Sequence, residues 1–65
     1  MDSNGMMNKE MVRQLNAYLM RTGKKQYELA AELGVPAPTV NRWLNGKVHI
    51  SKAYQTILKS KGILP

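Results

Sequence analysis

Two lysines and a glutamine, Lys24, Lys25 and Gln26, stand at the predicted start of a helix over residues 26–33. Cations are unfavourable there because the helix dipole is positive at this end, and each costs about 0.3–1 kcal/mol. A phosphate at this position would meet unpaired backbone N–H groups, the dipole and two ammonium groups together. We therefore predict a phosphate contact at this helix start, and the alternative is a solvated connection with two ordinary lysines.

Catalytic and metal-binding chemistry has little support in the sequence. The acidic residues are Asp2, Glu10, Glu28 and Glu32, and none is spaced to pair with the single histidine, His49. The chain has no cysteine, no glycine-rich phosphate loop and no paired nucleophile and base. We predict a protein that is not an enzyme, with no cofactor, no metal ion and no small-molecule substrate. Glu28 and Glu32 are expected to be solvent-facing charges, and His49 a surface residue.

The composition indicates one small basic domain. Ten lysines and arginines against four acidic residues give the 65-residue chain a formal net charge of +6. Such a charge is typical of a protein with a polyanionic partner, which could be DNA, RNA or an anionic membrane surface; a merely solubilising surface is the alternative. The absence of cysteine favours a reducing cytoplasm, and no apolar run approaches the roughly 20 residues of a membrane span. We expect no membrane partner.

Apolar spacing predicts an all-α fold of four or five short helices. The predicted helices cover residues 8–22, 26–33, 38–45 and 51–61. Asn8 and Ser51 are expected to be N-caps, because their side chains can accept hydrogen bonds from the first turn. Residues 1–7 show no periodicity and are expected to form a flexible tail. Residues 63–65 are apolar, and they either fold back on the first helix or meet another chain.

A tight turn is predicted between the second and third helices. Gly34 can take the positive φ that the turn requires. Val35 and Ala37 each precede a proline, which disfavours helical backbone, so we expect both to be extended. Pro38 suits the first helical position, with Ala37 as a weak N-cap and Gly46 as the end of the helix. Two short helices at a steep angle form a helix-turn-helix.

Two aromatic residues of this stretch can be interpreted in more than one way. Trp43 could stack on a base, but its spacing from Val40 and Leu44 favours a core position. Tyr27 lies at the start of the second helix, where packing on the first helix and a phosphate contact are equally compatible with the sequence.

The spacing of these residues resembles the phage Cro and repressor type of helix-turn-helix, the Xre family. The matching positions are Gln26, Leu29-Ala30, Gly34-Val35, Val40 and Trp43-Leu44-Asn45-Gly46-Lys47. The resemblance implies a lambda-repressor-like domain over residues 8–65 that binds double-stranded DNA with its third helix, 38–45, in the major groove. It also implies that Gln26 contacts phosphate.

Further contacts are implied by position in the family motif. The base contacts would be Ala37, Pro38, Asn41 and Arg42. The phosphate contacts would be Lys24, Lys25, Gln26, Tyr27, Thr39, Asn45 and Lys47. Arg42 can donate two hydrogen bonds to guanine O6 and N7, and Asn41 can pair with adenine N6 and N7. Ala37 and Pro38 stand where the family often has polar residues, so they would instead press on a thymine methyl.

The resemblance implies a sequence-specific transcriptional regulator, and the hypothesis is a Cro-like phage or prophage repressor on a palindromic operator. It would act in the bacterial cytoplasm or nucleoid, or in a phage-infected host cell. A weak homodimer, or a monomer that pairs on DNA, would place two recognition helices about 34 Å apart. The alternatives are the antitoxin of a toxin–antitoxin pair and a protein-interaction adaptor that keeps the fold without DNA.

Overall fold

The computed structural model describes residues 7–65 and shows four α-helices in this range. They are α1 (Asn8–Thr22), α2 (Gln26–Leu33), α3 (Ala37–Leu44) and α4 (Lys52–Ser60). Residues 7–65 contain no strand, so the all-α prediction is confirmed, with four helices in the described range. Residues 1–6, which make up most of the predicted flexible tail, lie outside the described residues.

The N-terminus of α1 differs from the prediction in its capping residue. Met7, not Asn8, is the N-cap, and its carbonyl accepts the N–H groups of Glu10 and Met11 at 2.9 and 3.0 Å. Asn8 is the first helical residue, and its Oδ1 accepts the backbone N–H of Ile50 at 3.2 Å. Ile50 is buried, and a buried N–H needs an acceptor. Asn8 therefore ties α1 to the segment before α4 instead of capping its own helix.

Helix α3 begins and ends one residue earlier than the predicted range 38–45, and the prediction of Ala37 as its N-cap is wrong. Pro36 is the N-cap, and Ala37 is the first helical residue, not an extended residue before the helix. Pro38 follows within the first turn, where N–H groups have no acceptor in the helix and proline is tolerated. The N–H of Thr39 donates to the Pro36 carbonyl at 2.9 Å, which closes this turn. Pro36 has the extended backbone of an N-cap (φ −64°, ψ 144°), and Ala37 is helical despite the bias against a helical residue before Pro38.

The predicted boundaries of α4 are accurate to one residue at each end. Ser51 is the N-cap, as predicted, and its Oγ accepts the N–H of Tyr54 at 3.4 Å. The chain beyond α4 folds onto its own domain, because Ile63 and Leu64 are 4% and 2% exposed and belong to the core. Their N–H groups donate to the carbonyl of Leu58 at 2.9 and 3.3 Å. Ile63 and Leu64 share this core with residues of α1, which agrees with the first of the two alternatives, that the segment folds back.

One hydrophobic core collects side chains from all four helices and from the connections between them. Its buried members are Met11, Leu15, Tyr18, Leu29, Ala30, Leu33, Val35, Val40, Trp43, Ile50, Leu58, Ile63 and Leu64. Trp43 is only 2% exposed, and its ring lies 5.4 Å from that of Tyr54 at a tilted angle. The predicted core position of Trp43 is therefore confirmed, and base stacking is excluded.

The turn between α2 and α3 fixes the position of α3. Gly34 has φ +75° and ends α2, as predicted, and the N–H of Val35 donates to the Ala30 carbonyl at 3.0 Å. Ala30 is 2% exposed, and its small side chain allows the close approach of α3. Because α3 packs against α1 as well as α2, its opposite side is left at the surface. Within residues 7–65, no helix has the length and apolarity needed to cross a membrane.

Candidate nucleic-acid interface

The side chain of Glu28, which the sequence predicted only as a solvent-facing charge, caps the start of α2. Lys25 is the N-cap, and its backbone N–H donates to Oε1 of Glu28 at 2.7 Å. The N–H of Glu28 donates back to the Lys25 carbonyl at 3.0 Å. Glu28 is exposed, as expected, but it also offsets the unfavourable lysine at the N-cap. A glutamate at the third helical position is the sequence signal for this arrangement.

Two backbone donors remain at the same helix start. Within residues 7–65, the N–H groups of Gln26 and Tyr27 have no hydrogen-bond acceptor. Both side chains are exposed, and Tyr27 is 60% exposed, which excludes its burial against α1. Free N–H groups at a helix N-terminus favour an anionic acceptor. The local geometry therefore suits a phosphate oxygen at this position.

Lys24 and Lys25 have different surroundings, although they are adjacent in sequence. Nζ of Lys24 donates to Oε1 of Glu32 at 2.9 Å and to the Tyr18 hydroxyl at 3.0 Å. The hydrogen bonds that Lys24 donates to Tyr18 and Glu32 hold the pKa of Lys24 above its usual range. The bond from Lys24 in turn lowers the pKa of Glu32. Glu32 is therefore half-buried and paired with Lys24, where the sequence predicted only a solvent-facing charge.

Arg21 is a second cation beside the Tyr18 ring. The guanidinium of Arg21 lies 5.5 Å from the centre of the Tyr18 ring, and the ammonium of Lys24 lies 5.4 Å from it. Both distances are within the range of cation–π attraction. Tyr18 therefore helps to hold Lys24 at the junction of α1 and α2, whereas Lys25 remains exposed.

The outer face of α3 carries the four residues assigned to base contacts. Ala37, Pro38, Asn41 and Arg42 are all exposed, while Val40 and Trp43 on the same helix are buried. Helical spacing places Ala37 and Asn41 in one row and Pro38 and Arg42 in the next. The guanidinium of Arg42 makes no hydrogen bond or ion pair with residues 7–65. This face thus presents an uncommitted cation beside an amide and two small apolar groups.

A chain of side-chain amides joins this face to the start of α2. Nδ2 of Asn45 donates to Oδ1 of Asn41 at 3.0 Å, and Nδ2 of Asn41 donates to Oε1 of Gln26 at 3.1 Å. The sequence predicts Gln26 as a phosphate contact and Asn41 as a base contact, but it does not predict the hydrogen bond between them. We call Gln26, Asn41 and Asn45 the amide chain.

The remaining proposed phosphate contacts lie at the two ends of α3. Thr39 is half-buried in the first turn. Lys47 is exposed just beyond Gly46, and its N–H donates to the Arg42 carbonyl at 3.0 Å. With Gly46 at φ +73°, this bond closes the C-terminus of α3. Lys47 therefore follows the exposed face directly, at the opposite end of α3 from Thr39.

Two packed helices joined at a left-handed glycine, with a polar exposed face on the second, define a helix-turn-helix. A family model described as helix-turn-helix, of the Xre/Cro-like type, matches residues 15–54, which is more than half of the chain. The chain belongs to this family, as the sequence motif predicted, and it is a DNA-binding helix-turn-helix regulator. Searches of curated proteins and of solved structures returned no significant match.

Proposed function

We propose that this regulator binds double-stranded DNA sequence-specifically, with α3 in the major groove and the start of α2 on a phosphate. The hydrogen bond between Asn41 and Gln26 carries the proposal, because it joins a base-reading position to a helix N-terminus with two unpaired N–H groups. A protein placed in this way would contact bases and backbone of one groove together. The net charge of +6 supplies the accompanying long-range attraction.

The base-reading residues follow from the exposed face of α3. Arg42 would donate to guanine O6 and N7, and Asn41 would pair with adenine. Ala37 and Pro38 would lie against thymine methyl groups. Two bidentate contacts of about 1–3 kcal/mol each give moderate discrimination per monomer. We therefore expect two copies on a palindromic operator, as a weak dimer or as monomers that pair on DNA.

The phosphate contacts would surround this face: Lys24, Lys25, Gln26, Tyr27, Thr39, Asn45 and Lys47. Their contributions should differ because their surroundings differ. Lys25 and Lys47 are exposed cations, whereas the charge of Lys24 is paired with Glu32. We expect Lys25 and Lys47 to dominate the salt dependence of binding, and Lys24 to contribute less.

The biological role that fits this proposed function is that of a Cro-like phage or prophage repressor. It would act in the bacterial cytoplasm or nucleoid, or in a phage-infected host cell. An antitoxin would need an exposed segment for its toxin. The burial of Ile63 and Leu64 in the core makes these two residues unsuitable for that purpose.

Two binding experiments test the proposal. Fluorescence anisotropy with random-sequence duplex DNA at two salt concentrations should show binding that weakens steeply with salt, since phosphate contacts release counterions. Selection from a random duplex pool should then enrich a symmetric site with two half-sites. A helix-turn-helix that serves only as a protein adaptor would bind weakly in the first experiment, show no steep salt dependence and enrich nothing in the second.

A further inference from the structure

The amide chain has a single direction. Asn45 donates to Asn41, and Asn41 donates to Gln26, at 3.0 and 3.1 Å. Each bond fixes which end of the next amide carries the oxygen. The N–H₂ group of Gln26, the first residue of α2, donates to no residue within 7–65. The donors therefore run from Asn45 towards Gln26, the residue that we propose contacts a phosphate.

The side-chain amide of Asn41 uses half of its hydrogen-bonding groups on other residues within 7–65. A carboxamide has two N–H donors and an oxygen with two lone pairs. Within residues 7–65, Asn41 uses one donor on Gln26 and one lone pair on Asn45, which leaves one donor and one acceptor for a base. The major-groove edge of adenine presents one acceptor, N7, and one donor, the N6 amino group. Guanine presents two acceptors, N7 and O6, and cannot satisfy the remaining lone pair of Asn41.

The orientation of Asn41 depends on Asn45. A donor from Asn45 holds Oδ1 of Asn41 towards the C-terminal end of α3 and Nδ2 towards Gln26. Without that donor, the amide of Asn41 could rotate. Its oxygen would then face Gln26, and the oxygen of Gln26 would face the phosphate. Hydrogen bonds in a chain strengthen one another when their dipoles align, so a phosphate at Gln26 favours the observed direction.

We propose that Asn45 is a positioning residue that makes Asn41 select adenine, and that it acts through Asn41 more than through a phosphate. The inference deepens the proposed function and rests on it, since it names the residue that makes Asn41 of the same site prefer adenine to guanine. It assigns an A·T base pair to each half-site at the position that Asn41 contacts. Asn45 then governs which base is preferred, whereas a phosphate contact would affect all sequences alike.

A double-mutant cycle on the selected site tests this inference. The readout is the ratio of affinities for adenine and guanine at each half-site position, measured for the wild type and for Asn41→Ala, Asn45→Ala and the double variant. Asn41→Ala should lower the ratio by about 5- to 100-fold at one position. Asn45→Ala should lower it at the same position by about 3- to 10-fold, and should have no further effect in the Asn41→Ala background.

Asn16→Ala is the matched control. Asn16 is an exposed asparagine on α1 whose Nδ2 also bonds four residues back, to the Val12 carbonyl at 3.2 Å. Asn16→Ala should leave the ratio of affinities for adenine and guanine unchanged. If Asn45→Ala weakened binding to every base equally, Asn45 would act only as a phosphate contact, without any effect on Asn41, and the inference would be overturned. A guanine preference at the position of Asn41 would overturn it as well.

The free protein provides a second measurement that needs no DNA. In ¹H–¹⁵N spectra, Asn45→Ala should shift the side-chain amide signals of both Asn41 and Gln26, and Asn16→Ala should shift neither. Unchanged signals of Asn41 and Gln26 would show that the amide chain does not form in solution. If the amide chain forms but the random pool enriches no site, sequence-specific binding fails and the adenine assignment fails with it.

Discussion

Nζ of Lys24 lies 2.9 Å from Oε1 of Glu32, whereas its neighbour Lys25 is exposed and makes no ion pair with residues 7–65. Two consecutive lysines before one helix thus have different roles. Lys24 links the α1–α2 connection to the later part of α2 through Glu32. Lys25 remains available to a polyanion. The difference can be measured, because a structural charge and a phosphate contact respond differently to salt.

Lys25→Met should weaken binding to all duplexes and reduce the slope of log affinity against log salt by about 1, the loss of one phosphate contact. Lys24→Met should change the slope less and should lower the melting temperature. Anisotropy titrations and thermal melts check both variants. Lys9→Met, an exposed lysine on α1, controls for net charge alone. Equal loss of slope for Lys24→Met and Lys25→Met would contradict the different roles.

Arg42→Ala should relax the base preference at one position of each half-site by about 1–3 kcal/mol, because a bidentate contact to guanine is lost. Affinity for unrelated duplex DNA should change little. The measurement is competition between operator variants. Arg13→Ala is the control, since Arg13 pairs with Glu10 at 2.9 Å on α1. A uniform loss across all variants would instead make Arg42 a phosphate contact.

Acid should weaken the fold partly through Glu32. Hydrogen bonds from Lys24 lower the pKa of this carboxylate below its ordinary value of 4.5. A lowered folded-state pKa means that the stabilisation is present above the unfolded-state value and is lost as the pH falls through the folded-state value. In melts from about pH 7 to about pH 3, Glu32→Gln should show a smaller fall in melting temperature than the wild type. If the melting temperatures of Glu32→Gln and the wild type fell equally with pH, Glu32 would make no contribution to the acid sensitivity.

Glu28 should stabilise the start of α2 and weaken DNA binding, and two variants separate these effects. Glu28→Ala removes the acceptor for the Lys25 N–H and should destabilise the protein by about 0.5–2 kcal/mol, the usual cost of a lost helix cap. Glu28→Gln keeps an oxygen acceptor and removes a negative charge beside the proposed phosphate. It should retain most of the stability and bind DNA more tightly. Weaker DNA binding by Glu28→Gln would argue against a phosphate at the start of α2.

Gly34→Ala should destabilise the fold by about 1–2 kcal/mol, because alanine is strained in the left-handed conformation. The cost should be conformational only, since a Cβ at Gly34 would meet no atom within 4 Å. Gly34→Asn should cost less, as asparagine tolerates this backbone. Chemical denaturation measures both variants. An unchanged free energy of unfolding for Gly34→Ala would mean that the turn can relax away from φ +75°.

Local signals were sufficient to predict most of the fold. The ranges of α1 and α2 follow from apolar periodicity and from the glycines after them, Gly23 and Gly34, which both have positive φ. The start of α3 was misplaced because Pro36 and Pro38 give competing local signals. Pro36 was correctly placed before the helix and Pro38 within its first turn, but the bias of a residue before proline led to Ala37 being assigned outside the helix.

The site was predictable in its residue types but not in its internal contacts. The bond from Ile50 to Asn8 spans 42 residues, and the bond from Asn41 to Gln26 spans 15. Such pairings depend on how the helices pack, which no local pattern encodes. The pairing of Lys24 with Glu32 escaped prediction for the same reason. Glu28 is different, because its capping position could have been recognised from spacing alone.

The central claim is that α3 reads bases in the major groove, and modified DNA tests it most directly. In the selected operator, 7-deaza purines remove the N7 acceptors of the major groove without changing the minor groove. Anisotropy should show about 5-fold or greater loss of affinity when the purine facing Asn41 or Arg42 is replaced. Unchanged affinity with every half-site purine replaced would contradict readout by α3.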